Sequence, residues 1–217
     1  MNIYLLKKII LIAFISTVLI DCVNNASGFG KCKLRKPNVE QNFQPDRYLG
    51  KWFEQYRDKD TAFQKGDCVI AEYSKKSTYN SGNSLELKVN NSELNLKENK
   101  SRNERKVGEG RAYLKNTSVG KLQVSFAPKF LDVFDFVKGP YWVLDTDYEN
   151  YAFVYSCKEY VFGLYHTEYF WILTREKTPS QETLNNYLNF VENKYGYNID
   201  SFRRKTVQGD DVCFNYK

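Results

Sequence analysis

The residues able to do covalent chemistry are few. The chain has one histidine, His166, so any Ser-His-Asp or Cys-His arrangement would have to use it. No serine sits in a Gly-x-Ser-x-Gly elbow. His166 lies in "GLYHTEY", in or beside a connection between strands, and reads as a surface residue; holding haem would require it to turn inward. Five cysteines are present. Cys22 falls in the leader described below, leaving Cys32, Cys68, Cys157 and Cys213. An even count in a secreted chain implies two disulfides, with three pairings open. That removes the thiol nucleophiles, and without a Cys-x-x-Cys pair a zinc site is disfavoured. The sequence therefore offers no catalytic residue and no metal ligand set. An enzyme is not expected.

The same cysteine usage points outside the cell. "MNIYLLKK" precedes an apolar run of 12 residues, "IILIAFISTVLI", the pattern of a signal-peptide core and too short to span a bilayer comfortably. Ala26-Ser27-Gly28 supplies a small-x-small cleavage site, so residues 1–28 read as a signal peptide and 29–217 as one secreted domain. Asp21 argues against a lipid anchor on Cys22. Asn90, Asn99 and Asn116 open Asn-x-Ser/Thr sequons and become candidate glycan sites in that context. The net charge of +6 is mild. Its bases are interleaved with acids, as in "KENKSRNERK", which reads as a solvated hairpin and not a nucleic-acid surface.

Strands must position whatever the chain binds. "LELKV" puts Leu85, Leu87 and Val89 on one face at period two, and "KLQVSF" repeats this with Leu122, Val124 and Phe126. "CVIAEYS", "YWVLDTDY", "YAFVYSC" and "EYFWILTR" are rich in aromatic and β-branched residues. About eight short strands follow in succession from "GKWFEQY", with turns and no helices between them, so the neighbours should be antiparallel. One helix follows. Thr178 is its expected N-cap, Pro179 its first residue and Gln181 the partner in a capping box. Leu184, Tyr187, Leu188 and Val191 form its apolar stripe, and Gly196 ends it. Eight strands closed into a barrel leave room for side chains or for one small ligand.

Three short motifs in this order resemble the lipocalin signature. Gly50-x-Trp52 opens the first strand, Thr146-Asp147-Tyr148 fills a turn between two strands, and Arg175 ends "WILTR" just before the helix. "FGKC", "YLGKW" and "YWVLDTDYENYAFVYSC" are most similar to the branch holding apolipoprotein D and the insect bilin-binding and Lazarillo-type lipocalins. The resemblance implies an all-β, eight-stranded antiparallel up-and-down barrel with one C-terminal α-helix packed outside. It implies that Trp52 plugs the closed end beneath Arg175, with the Asp147 turn at the same end, all as scaffold. It also implies the pairings Cys32–Cys157 and Cys68–Cys213.

Strand parity then assigns the faces. If Arg175 faces inward, so do Leu173, Trp171 and Tyr169. If Cys157 reaches an outer arm, Tyr151, Phe153 and Tyr155 face out beneath the helix, and Ala152, Val154 and Ser156 face in. The family likeness adds Ala71 and Tyr73, Tyr141 and Val143, and Leu122, Val124 and Phe126 to the lining, with Trp171 in the pocket. That lining is apolar with a few hydroxyls and has no Lys or Arg, which suits a neutral or weakly polar hydrophobe held by burial. At the open end, "APKFLDVFDFVKGP" exposes Phe130, Leu131, Val133, Phe134 and Phe136, and "EYVFGLY" adds Tyr160, Val161, Phe162 and Leu164. These form either a rim that touches membranes or lipoprotein particles, or a lid folded over the cavity. The expected function is a secreted carrier of fatty acids, sterols or related lipids, with protection against lipid oxidation as a theme of the family. No cofactor is required. A bilin carrier would hold biliverdin, with Lys129 and Lys138 as candidate propionate partners. A receptor ligand or inhibitor with a vestigial cavity is the reading from a different class.

Overall fold

The computed structural model describes residues 27–34, 36–59, 61, 63–81, 84–95, 104–198 and 203–213. Most of the expected signal peptide, Cys22 and the Asn99 sequon lie outside them. β1 (Ser27–Phe29) straddles the expected cleavage point after Gly28. The barrel follows: β2 (Gly50–Asp58), β3 (Asp67–Ser81), β4 (Ser84–Asn95), β5 (Glu104–Leu114), β6 (Lys121–Ser125), β7 (Gly139–Thr146), β8 (Tyr151–Tyr160) and β9 (Tyr165–Thr174). Each of these pairs antiparallel with the next, and β9 pairs back onto β2. The expected eight strands thus close the sheet and remove its edges. Two short strands that the sequence did not reveal extend it: β1 on β9, and β10 (Arg203–Lys205) on β2.

The alternation of side chains sorts into two separate cores. Trp52, Ala71, Tyr73, Leu87, Val89, Ala112, Leu114, Leu122, Val143, Ala152, Val154 and Leu173 cluster inside the barrel. Phe153, Tyr155, Phe170 and Ile172 face outward and pack against Leu184, Leu188 and Val191. Those three come from the long helix, the second of three α-helices among the described residues. α1 (Pro45–Tyr48) precedes the first barrel strand, α2 (Gln181–Tyr195) lies on the outer wall and α3 (Asp210–Cys213) ends the described chain. α2 starts later than the sequence suggested. Ser180, not Thr178, is the N-cap, and its side chain accepts from the Thr183 backbone N–H. Pro179 therefore precedes the helix. Gln181 donates forward to Asn185 instead of closing a capping box. Both hydroxyl residues suit a cap; the extended backbone of Ser180 decides which one serves. Gly196, in left-handed backbone, ends the helix as expected.

Two arms are stapled to the wall. Cys32–Cys157 ties the N-terminal arm to β8, and Cys68–Cys213 ties α3 to β3. His166 is buried, not the surface residue its sequence context suggested. It stands near the start of β9, its Nδ1 donating to the Gly30 carbonyl at 2.9 Å. Glu168 accepts from the Lys33 backbone N–H, and Tyr155 accepts from that of Leu34. Such pairing is what a segment laid over a sheet needs, because its buried backbone polar groups have no water.

Asp58 lies under the same outer layer, receiving the Tyr197 hydroxyl on both oxygens and the Phe170 backbone N–H. Burial pushes its carboxyl up to about 7, with Glu168 adding to the rise and Lys33 and the hydrogen bonds opposing it. A raised carboxyl favours folding most below the unfolded value, and the advantage fades as pH climbs through the folded one. Stability should therefore fall by about 2–4 kcal/mol between pH 4 and pH 7. Asp58→Asn should flatten that slope in urea denaturation; an unchanged slope would place its origin elsewhere.

Candidate functional site

The closed end is built around an indole. Gly50 has a φ of 89°, which a residue with a Cβ rarely adopts, and this turn brings the start of β2 under Arg175. The Arg175 guanidinium lies 3.7 Å from the Trp52 ring centroid. It also donates to the carbonyls of Arg47, Lys51 and Tyr148. The Trp52 N–H donates to the Tyr48 carbonyl. In the neighbouring turn, Asp147 accepts the backbone N–H groups of Glu149, Asn150 and Tyr151. Burial would raise its carboxyl, but those bonds and the Asn150 side chain hold it below the usual range. Thr146 accepts from the Tyr148 N–H and donates to the Tyr151 carbonyl. Gly50, Trp52, Thr146, Asp147, Tyr148 and Arg175 thus form a cross-braced base.

Above that base the wall is apolar and not completely filled. Ala71, Tyr73, Leu122, Val143, Ala152 and Val154 are buried in the interior cluster. Val124, Tyr141 and Trp171 pack against the cluster yet keep accessible surface, so open space borders them. Tyr169 leans on Trp171, with ring centroids 5.8 Å apart. Phe126 stands at the mouth, its ring over Gly108 and Gly110. A Cβ on Gly110 would come within 2.7 Å of that ring, so the glycine makes the space the phenyl fills. All eleven expected lining residues are placed on or over the inner face.

Sequence parity missed a polar patch in this wall. β2 is irregular between Glu54 and Tyr56, so Glu54 lies opposite Leu173 and Arg57 opposite Trp171. Directly paired residues share a face, and both charges therefore turn toward the interior. They form a fully buried ion pair. Arg57 also donates to the Thr206 hydroxyl and the Gly66 carbonyl. Gln64 bridges Glu54 to the Trp171 indole N–H. The only hint in the sequence is "EQYRD", where charges interrupt a strand pattern. Tyr48, at the end of α1, was also missed. Its hydroxyl lies 3.0 Å from that of Tyr141.

The loop after β6 is held from below. Asp132 receives Arg111, Tyr113 and Ser125. Burial would raise its carboxyl, but these partners, led by Arg111, pull it down to about 2. With that hub fixed, Phe130 is 75% and Phe136 72% exposed, and the rings of Phe134 and Phe136 stack on each other. Leu131 is half-buried. In the loop after β8, Val161 and Phe162 both have positive φ, and Phe162 is fully exposed. Such backbone is strained for a β-branched or bulky residue. The rings therefore face outward as a rim and do not fold inward as a lid. Asn116 is exposed on a closed-end turn, whereas Asn90 is half-buried in β4 between paired strands. Lys138 pairs with Asp135 and lies over the Tyr113 ring.

A family model described as a lipocalin-like domain matches residues 43–207. The chain belongs to the lipocalin family. Apolipoprotein D of Macaca fascicularis is 37% identical to this lipocalin over 188 residues, covering 85% of each chain. The Lazarillo protein of Schistocerca americana is 32% identical over 146 residues, covering 66% of this chain and 60% of its own. Among solved structures, insecticyanin from the tobacco hornworm Manduca sexta superposes with a TM-score of 0.65 at 22% identity. That match covers 86% of this lipocalin and 91% of insecticyanin, and it speaks to the fold alone.

Proposed function

We propose that this lipocalin is a secreted carrier of a small, neutral or weakly polar hydrophobe, of the fatty acid or sterol class, held in the barrel. The observation that supports this most is that Val124, Tyr141 and Trp171 stay only half-buried on an inner face whose other apolar residues are packed away. Burying apolar ligand surface there contributes about 25 cal/mol per Å². The phenols supply hydrogen bonds without charge, and the inner-face cation Arg57 is already paired with Glu54. Two disulfides suit an oxidising compartment, in line with a leader ending at Gly28. Titration with oleic acid or cholesterol should change the indole emission of the wild type and much less that of Trp171→Phe. A flat wild-type titration with every hydrophobe tried would favour the receptor-ligand reading with a vestigial cavity. Biliverdin as cargo would give the purified protein a visible absorption band; colourless protein leaves the lipid.

The rim completes this reading as the place where cargo is exchanged with a membrane or lipoprotein surface. Aromatic rings at a rigidly held mouth suit shallow insertion at a lipid interface. The double variant Phe134→Ser/Phe136→Ser should lose most sedimentation with phosphatidylcholine liposomes while keeping its melting temperature. Undiminished sedimentation would dismiss the contact.

A further inference from the structure

The loop after β2 carries one residue that turns toward the barrel. Phe63 and Lys65 are exposed, whereas Gln64 between them is half-buried. Its amide is held from two sides. Nε2 donates to the Glu54 carboxylate at 2.5 Å, and Oε1 accepts the Trp171 indole N–H at 3.3 Å. An ionised carboxylate only accepts and an indole N–H only donates, so these neighbours fix which end of the amide is which. Each end keeps one position free of a protein partner: an N–H on Nε2 and a lone pair on Oε1. Trp171 is one of the half-buried rings of the inner face. The spare donor and the spare acceptor therefore stand together at the edge of the space left for cargo.

The backbone that presents this amide is braced on both sides of it. The Thr61 hydroxyl donates to the Asp58 carbonyl, and the Gln64 N–H donates to the Thr61 carbonyl. Glu93 accepts the N–H groups of Lys65 and Gly66, and Arg57 donates to the Gly66 carbonyl. A Cβ on Gly66 would meet the Leu94 carbonyl oxygen at 2.7 Å, so only a glycine lets the loop lie this close to β4. Phe63 packs edge-on against Tyr169, with ring centroids 5.2 Å apart. An amide held this way has little freedom left to lose when a ligand pairs with it, which favours binding.

The charges behind the amide decide which head group it suits. Glu54 stands directly behind Nε2. Arg57 lies beyond it, completely buried and already paired with Glu54. The Arg57 Nε–H has no acceptor, but that side chain has no surface through which cargo could reach it. A lipid hydroxyl can donate to Oε1 and accept from Nε2 without bringing in a charge. A carboxylate can only accept. It would face the Oε1 lone pair and the Glu54 charge with no open cation to meet it, and such burial is costly. We propose that Gln64 is the head-group residue of the barrel, pairing with the hydroxyl of a neutral lipid alcohol and disfavouring the carboxylate of a fatty acid. This rests on the carrier reading and narrows its cargo to hydroxyl-bearing lipids.

The test compares three ligands of one chain length on the full chain at neutral pH: oleyl alcohol, oleate and octadecene, which has no head. Each is titrated as a competitor of bound diphenylhexatriene, a fluorescent hydrocarbon. Two hydrogen bonds to the hydroxyl should make oleyl alcohol bind about tenfold tighter than oleate. Gln64→Leu, which keeps the volume and removes the amide, should weaken oleyl alcohol severalfold and leave octadecene unchanged. A merely structural role for Gln64 would weaken both alike. Oleate that binds as tightly as the alcohol to the wild type overturns the proposal and leaves the carrier reading standing. So does a Gln64→Leu protein that loses alcohol and octadecene equally, or neither. A wild type that binds neither the probe nor any of the three ligands overturns the proposal and the carrier reading together.

Discussion

Trp52→Ala is expected to lower the free energy of unfolding by about 3–5 kcal/mol, the range for truncating a large buried aromatic. The side chain is completely buried and is the hub of the closed end. Removing it deletes its contact with the Tyr48 ring and takes the ring from under Arg175. Cation–ring attraction accounts for roughly 0.5–2 kcal/mol of such a loss, according to desolvation. Arg175→Lys separates the parts. It keeps the charge but not the fork that donates to three carbonyls, so it should destabilise less than Trp52→Ala but measurably. Urea denaturation followed by near-ultraviolet dichroism reads both. A Trp52→Ala protein as stable as the wild type would mean that the base is not braced through this ring.

Arg57→Met should be comparably damaging, by about 3–5 kcal/mol, because it leaves a buried carboxylate without its partner. Glu54 would keep the Thr206 hydroxyl and Gln64 but lose the cation paired with it. Arg57 also fixes the loop after β2 through the Gly66 carbonyl, so Gln64 and its bond to the Trp171 indole should loosen as well. The double variant Glu54→Gln/Arg57→Met should recover much of the stability, since no buried charge is then left unpaired. Equal stability of the single variant and the wild type would show that water reaches this pair.

The barrel was legible because one period governs it. Alternation in "LELKV" and "KLQVSF" fixed both strand type and facing, and the structure places Leu87, Val89 and Leu122 inside. The cap of α2 was not legible, because Thr178 and Ser180 compete on chemistry alone and backbone geometry chooses between them. Arg57 escaped because one irregular residue after Glu54 shifts the parity of β2, and simple alternation has no sign for that; Glu54 keeps the parity of Trp52, and it was its charge that hid it. His166 escaped because its cover is the N-terminal arm, which is distant in sequence and joined only through Cys32–Cys157 and the arm's own hydrogen bonds. β1 and β10 are three residues each, too short to show a pattern.

The central claim is that the barrel takes up a small hydrophobe in space its own side chains leave open. Native mass spectrometry of the protein purified from its secreting cells, followed by organic extraction of the same sample, tests this most directly. The account predicts one small-molecule adduct per chain, released by the solvent and identifiable as a lipid-class hydrophobe. A bare protein mass that stays bare after incubation with fatty acid and sterol would contradict it.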